Sequence, residues 1–332
     1  MLGFLSRYDL KTDPYIWHDS VMGSVAYQQV YGLNGPVAAD KAGREMHRLN
    51  ALWSPYFPGN IIDTVRKAAG RCTVAADSDT LQLLQTAKEL ALPSQGALDI
   101  TVDPLICLWR MAAQQKVPPR PGEIEKKRNL VCISDLQITS GGHIWLPRHG
   151  QGLDLGGIGK GFAADRVHEI YRKAGIRHAV LNIGGNVMLL GSKPNGTPWK
   201  VGIRNPALPH RELVGYIEAE DCAVVTSGDY EQFFDYTDPL LGKRRLHHII
   251  DPRSGWPADS GISGVTIVAA SSALADGLAT AAVVLGLEKG MALCNSFTDT
   301  HALMISNKGE LHMSPGMSGL FQATSEPVFA SI

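Results

Sequence analysis

Cysteine is scarce in this sequence. Its 332 residues carry five, Cys72, Cys107, Cys132, Cys222 and Cys294, with no CxxC pair among them. A dispersed, odd-numbered set argues against a disulfide framework and a thiolate zinc site, and predicts reduced thiols in the core. A dominant charge is also lacking: 31 Lys and Arg stand against 32 Asp and Glu, for a formal net charge of −1. Nothing in that balance favours a nucleic acid or an anionic membrane as partner. No apolar run approaches the ~20 residues needed to cross a bilayer. Arg7, Asp9 and Lys11 interrupt the first residues before a signal core could form. The expectation is a cytoplasmic protein with no membrane span.

What is present is glycine, 35 residues gathered into short motifs rather than linkers. Clustered glycine implies tight turns and close backbone approach to a ligand. Residues 21–31 mix apolar and β-prone side chains and predict a strand; 38–52 predict a helix ended by Pro55 and Pro58. Residues 78–91 suit an amphipathic helix capped by Ser78 or Asp79. The polar, proline-rich residues 112–128 predict an exposed connection, and 136–139 with 143–147 a hairpin across Ser140-Gly141-Gly142. Residues 154–161 open a helix reaching about 174, where Gly175 supplies the stop. Strands are expected at 179–183, 199–203, 214–218, 222–226 and 264–269, and a last clear helix at 271–285 with Ser271 or Ser272 as its cap. Hairpins and helices without regular β-α alternation define an α+β class with mixed, mainly antiparallel sheets flanked by helices.

Four constellations can carry chemistry. The run DLGGIGKG (154–161) places glycines before a helix start, where free N–H groups and the helix dipole attract anions, and Lys160 adds a full charge. The P-loop spacing GxxxxGK[ST] is absent, and a structural turn is the plain alternative. Asp276 and Thr280 lie four apart, hence on one helix face, and offer the hard oxygens that suit Mg²⁺; an ordinary capped helix with Thr280 bonded to its own turn is the competing reading. In HHIIDPRSG (247–255), His248 stands at a strand edge as either a base or hydrogen-bonded structure. TSGDY (226–230) is a compact polar turn compatible with many folds.

The segments ALDITVDPLICLW, DLGGIGKGFAADRV, LNIGGN, PWKVGIRNP, TSGDYE, HHIIDPRSGWP and SSALADGLATAAVVLG occur in this order. Together they resemble the ApbE family, the FAD:protein FMN transferases, from about Met22 to Ile305. The resemblance implies an ApbE-like α+β fold. It implies residues 1–20 as an N-terminal extension, 21–320 as one domain with two lobes around an FAD cleft, and 321–332 as a tail. It implies FAD as substrate, Mg²⁺ as cofactor, AMP as product, and as partner an acceptor flavoprotein that receives FMN on a Thr or Ser. Matched motif by motif, Met22, Tyr56, Ala97, Leu98, Asp99, Asp154, Lys160 and Ile250 would contact FAD. Asp276, Thr280 and the carbonyl of Gly157 would hold the metal. His248 would take the proton of the acceptor hydroxyl, with Lys160 assisting at the phosphates.

The sequence departs from the family pattern at several places. Asp103 and Arg110 stand where glycine is usual, Ile106-Cys107 where Val-Asn is common, and PGNIIDT follows Tyr56. The lipobox cysteine of secreted relatives is absent, in keeping with a cytoplasmic form or a chain without its leader. Two other functions share the same residues: an FAD pyrophosphatase that uses water in place of the acceptor, and an FAD-binding protein without turnover.

Overall fold

Side chains alternate across the strands of one large sheet, and both of its faces are covered. A computed structural model describes residues 13–206, 212–228, 233–238 and 242–324. The chain begins with a hairpin, β1 (Tyr15–Val21) and β2 (Ser24–Val30), then α1 (Gly35–Trp53), α2 (Ile61–Ala68), β3 (Val74–Ala75) and α3 (Ser78–Ala91). Next come α4 (Asp103–Gln115), α5 (Pro121–Arg128), β4 (Gln137–Ile138), β5 (His143–Trp145) and α6 (Gly159–Lys173). Strands β6 (Ala179–Ile183), β7 (Asn186–Leu190), β8 (Trp199–Arg204), β9 (Leu213–Ala219), β10 (Ala223–Gly228), β11 (Phe233–Asp238), β12 (Gly242–His247) and β13 (Ile262–Ala269) follow. The described chain closes with α7 (Ser272–Leu285), α8 (Leu287–Asn295), β14 (His301–Ser306), β15 (Leu311–Met313) and β16 (Phe321–Ala323).

The large sheet runs β1-β2-β6-β7-β10-β13-β14-β15, and every pairing in it is antiparallel. On one face Met188, Leu190, Val225, Val265, Ile267 and Met304 pack beneath the helices. On the other, Val187, Leu189, Val224, Val268, Leu303 and Ile305 meet Trp199, Ile203 and Ile217 of the smaller sheet β16-β9-β8. Burial on both faces explains why β7 reads as four successive apolar residues, VMLL, after Asn186. Each such Leu or Ile removed from water contributes about 1.5–3 kcal/mol. The α+β class with mainly antiparallel sheets holds.

Several local expectations are corrected. Residues 21–31 are not one strand: Val21 ends β1, Ser24 begins β2, and Met22-Gly23 form the two-residue turn between them. Both turn residues have positive φ, 55° and 72°, the pattern of a type I′ turn, which matches the twist of a hairpin. Residues 112–128 are not a plain connection, since α4 runs to Gln115 and α5 fills 121–128. The cap of α3 is Asp77, whose side chain accepts from the Thr80 N–H, rather than Ser78 or Asp79. Helix α7 is followed by α8. The cysteines are all free, but only Cys294 is a core residue; Cys72 is exposed and the other three are half-buried. At the edges of the fold, β1 starts at Tyr15 and β16 ends at Ala323. No helix among the described residues is long and apolar enough to cross a membrane.

Candidate active site

Helices α6 and α7 cross at a contact that only small residues permit. A Cβ on Gly161 would sit 2.3 Å from the Ser272 carbonyl oxygen and 2.7 Å from the Asp276 Cβ. At this contact the two helices cap each other. The residue before α6 is Ile158, which has no side-chain acceptor, and the Gly161 N–H donates instead to Asp276 Oδ2 at 2.9 Å. In return Asp165 of α6 receives the Ser272 and Ala273 N–H groups at 2.7 and 2.9 Å, and the Ser271 hydroxyl at 2.9 Å. The Ser271 hydroxyl oxygen itself accepts from the Leu274 N–H, so three donors at the first turn of α7 are satisfied. Burial pushes the Asp165 carboxyl above the usual carboxylate range, against the opposing pull of these hydrogen bonds.

Above this contact lies a cleft of about 1240 Å³, larger than the ~300–1,000 Å³ of ordinary small-ligand pockets. Every residue expected from the resemblance to contact FAD, hold the metal or move the proton lines it. Asp276, Thr280 and Gly157 meet at its base. Thr280 donates through Oγ1 to the Gly157 carbonyl at 3.2 Å, and a Cβ on Gly157 would press on the Thr280 side chain. Asp276 is 1% exposed, yet it lines the cleft, and its Oδ1 has no partner among the described residues. The donor set is one carboxylate, one hydroxyl and one carbonyl, all hard oxygens. Neighbouring ligands of an octahedral Mg²⁺ with ~2.1 Å bonds lie ~3 Å apart, close to the observed Thr280–Gly157 spacing. These residues therefore fit Mg²⁺. Among the described residues no three His, Cys, Asp or Glu converge on another candidate metal centre.

Lys160 and the Gly156-Gly157 turn stand beside this group, with Lys160 Nζ 3.4 Å from the Gly156 carbonyl. Asp154 Oδ1 holds the turn by accepting from the Gly156 N–H at 2.9 Å. Burial pushes its carboxyl up; that hydrogen bond and the nearby Arg110 pull it back. His248 is exposed in the cleft wall. Its neighbour His247 is fixed, since Nε2 lies 2.6 Å from the Ala258 carbonyl and Nδ1 accepts from the Ile249 N–H. A tight return over 249–258, closed by the Ile250–Pro257 bridge and the Trp109 Nε1 bond to the Gly255 carbonyl, sets the position of Ile250.

The far wall is of a different make. Met22 sits in the β1–β2 turn, next to Gly184-Gly185, whose positive φ values of 55° and 90° make a second tight turn, between β6 and β7. Ala97 and Leu98 are buried apolar lining. Asp99 lines the cleft, but its oxygens are engaged: Oδ1 accepts from the Thr101 N–H and hydroxyl, and Oδ2 from the Ile133 N–H at 2.9 Å. Burial raises its pKa, with those bonds opposing. Tyr56 is 71% exposed, and the Arg110 guanidinium lies 5.1 Å from its ring centroid. Asp103 is buried and receives a two-pronged contact from Arg66. In the TSGDY turn, Thr226 and Ser227 line the cleft, while Asp229 and Tyr230 lie outside the described residues. The sequence reading missed Asp165 and the role of Gly161, because their partners lie more than 100 residues away.

This architecture is shared with solved flavin transferases. The ApbE protein of Thermotoga maritima superposes with a TM-score of 0.83 at 27% identity, over 93% of this chain and 99% of that one. The flavin transferase ApbE of Vibrio cholerae gives 0.82 at 28% identity, over the same shares. The ApbE family model matches residues 22–304. The FAD:protein FMN transferase of Klebsiella pneumoniae (strain 342) is 32% identical over 304 residues, 90% of this chain and 92% of its own length. The chain belongs to the ApbE family.

Proposed function

We propose that this enzyme binds FAD in the cleft and transfers its FMN half to a Thr or Ser hydroxyl of an acceptor flavoprotein, releasing AMP. The observation that carries the reading is the convergence on one cleft of the α6 start with Lys160, the oxygen donors Gly157, Asp276 and Thr280, and the histidine His248. Like the Klebsiella relative, it would take FAD as substrate. Met22, Tyr56, Ala97, Leu98, Asp99, Asp154 and Ile250 would form the walls of the dinucleotide site. The cleft would divide one domain into a helical lobe and a sheet lobe.

Breaking a phosphoanhydride requires charge neutralisation, alignment and a proton acceptor. A Mg²⁺ held by Gly157, Asp276 and Thr280 would supply Lewis-acid stabilisation of the phosphate oxygens. Lys160, beside the positive end of the α6 dipole, would orient the pyrophosphate. His248 accepts the acceptor hydroxyl proton as that oxygen bonds to the FMN phosphorus. The bond from that phosphorus to the bridging oxygen breaks, and AMP leaves with the bridging oxygen.

The test is to incubate the protein with FAD, Mg²⁺ and a flavin-accepting protein and weigh the acceptor. A gain of one FMN with equimolar AMP is expected, and a chelator should abolish it. His248→Ala should slow transfer by about 10²–10⁴-fold, the usual contribution of a general base, while FAD still binds. Free FMN without a covalent flavoprotein would overturn the transferase reading in favour of a pyrophosphatase.

A further inference from the structure

The exposed ring of Tyr56 has one close partner of distinctive chemistry. Tyr56 lies in the 54–60 loop between α1 and α2, away from both main cores. Arg110 places its guanidinium 5.1 Å from the ring centroid, inside the range of a cation–π contact. The base of Arg110 is firm, because the preceding Trp109 is buried and tied to the Gly255 carbonyl at 2.8 Å. Arg110 Nη2 lies 3.8 Å from Asp154 Oδ2, beyond hydrogen-bond length, and Asp154 already holds the Gly156 turn. Arg110 therefore lies between the exposed Tyr56 ring and Asp154 of the glycine turn, and both Arg110 and Tyr56 line the cleft.

We propose that Arg110 is a positioning residue that holds the Tyr56 ring as a stacking wall for a planar heteroaromatic ring of the bound dinucleotide. The proposal rests on FAD as the cleft's substrate. With the guanidinium on one face, the ring keeps its other face for a ligand ring, and the fixed pair loses less rotamer entropy on binding than a free tyrosine would. A planar guanidinium can stack in this way, whereas a lysine ammonium acts as a point charge.

The experiment is FAD titration by flavin fluorescence with wild type, Arg110→Ala, Tyr56→Leu and the double variant, alongside steady-state kinetics. Arg110→Ala and Tyr56→Leu should each raise the Kd of FAD roughly tenfold. The double variant should bind no worse than Tyr56→Leu alone, because both remove one wall. The loss should fall on KM for FAD rather than on kcat, and Arg110→Lys should restore part of it. Separate titrations with FMN and AMP assign the stacked ring to isoalloxazine or adenine, and a loss confined to either supports the proposal. Unchanged FAD affinity in Arg110→Ala, additive losses in the double variant, or no loss toward FMN or AMP would overturn it. If Arg110→Ala lowers thermal stability, Arg110→Met keeps the stem and serves in its place. A wild type that binds no FAD would overturn the functional reading itself, which separates that failure from this one.

Discussion

The two ends of the cleft are held in different ways. At the base, Asp276, Thr280 and Gly157 are fixed by backbone contact between two helices that approach through glycine and alanine. At the outer wall, Tyr56 and Arg110 are exposed side chains whose placement depends on one another. The base has almost no freedom to adjust, as the proposed metal centre would require. The wall can yield, as suits a surface that admits and releases a large substrate.

The largest test of this contrast is Asp276→Asn. The amide oxygen can still accept from Gly161, so the α6–α7 contact should survive with a cooperative thermal transition. Loss of the charge should nonetheless lower flavin transfer by about three orders of magnitude. Wild-type-like turnover would break the distinction by showing the base to be structural only. Gly161→Ala should come next. Its methyl group must displace the Ser272 carbonyl or Asp276, an overpacking worth about 1–3 kcal/mol, or roughly a 5 °C fall in melting temperature. Tyr56→Ala at the outer wall should leave the melting temperature within about 1 °C, since surface changes are usually worth less than ~0.5 kcal/mol. Equal losses at both sites would show the two ends to be equally rigid.

A pH-dependent effect is expected from Asp99→Asn. Its carboxylate accepts three hydrogen bonds, and an amide in its place should cost about 1–2 kcal/mol at neutral pH. Burial raises the Asp99 pKa in the folded state above its unfolded value of about 3.9. The folded protein then binds this proton first. The resulting stability is complete below the unfolded pKa and is lost as pH rises through the folded one. The wild type should therefore gain stability relative to Asp99→Asn as pH is lowered from 7 toward 4, measured by urea unfolding. A gap that narrows instead would show that the hydrogen bonds outweigh burial and lower the pKa.

Much of the base was legible in the sequence, because its signals are local. DLGGIGKG announces a glycine turn before a helix, and an i, i+4 spacing puts Asp276 and Thr280 on one face. Asp165 was not legible: it reads as an ordinary polar position of α6, and its partners at 271–273 carry no mark of the pairing. Residues 21–31 were misread as one strand because their apolar, β-prone composition gives no warning of a turn, and methionine is an uncommon choice for positive φ. Helix α5 was passed over for want of apolar periodicity, with Ile124 its one buried residue. Its signals were those of helix ends: Pro121 at the first position, Glu123 accepting from the Arg120 N–H, and Lys126, Lys127 and Arg128 in the last turn.

The reciprocal capping of α6 and α7 also bears on the order in which a growing chain becomes competent. When α6 leaves the ribosome, the carboxylate that completes its first turn is 115 positions away and not yet made. Helix α7 in turn has waiting for it an acidic acceptor, Asp165, synthesised long before. The oxygen cluster at the cleft base thus forms only after α7 has been made, and a nascent chain stopped ahead of residue 271 would carry the glycine turn without its partners. Contacts of such long sequence separation form slowly, so catalytic capacity should arrive as one of the final events of folding.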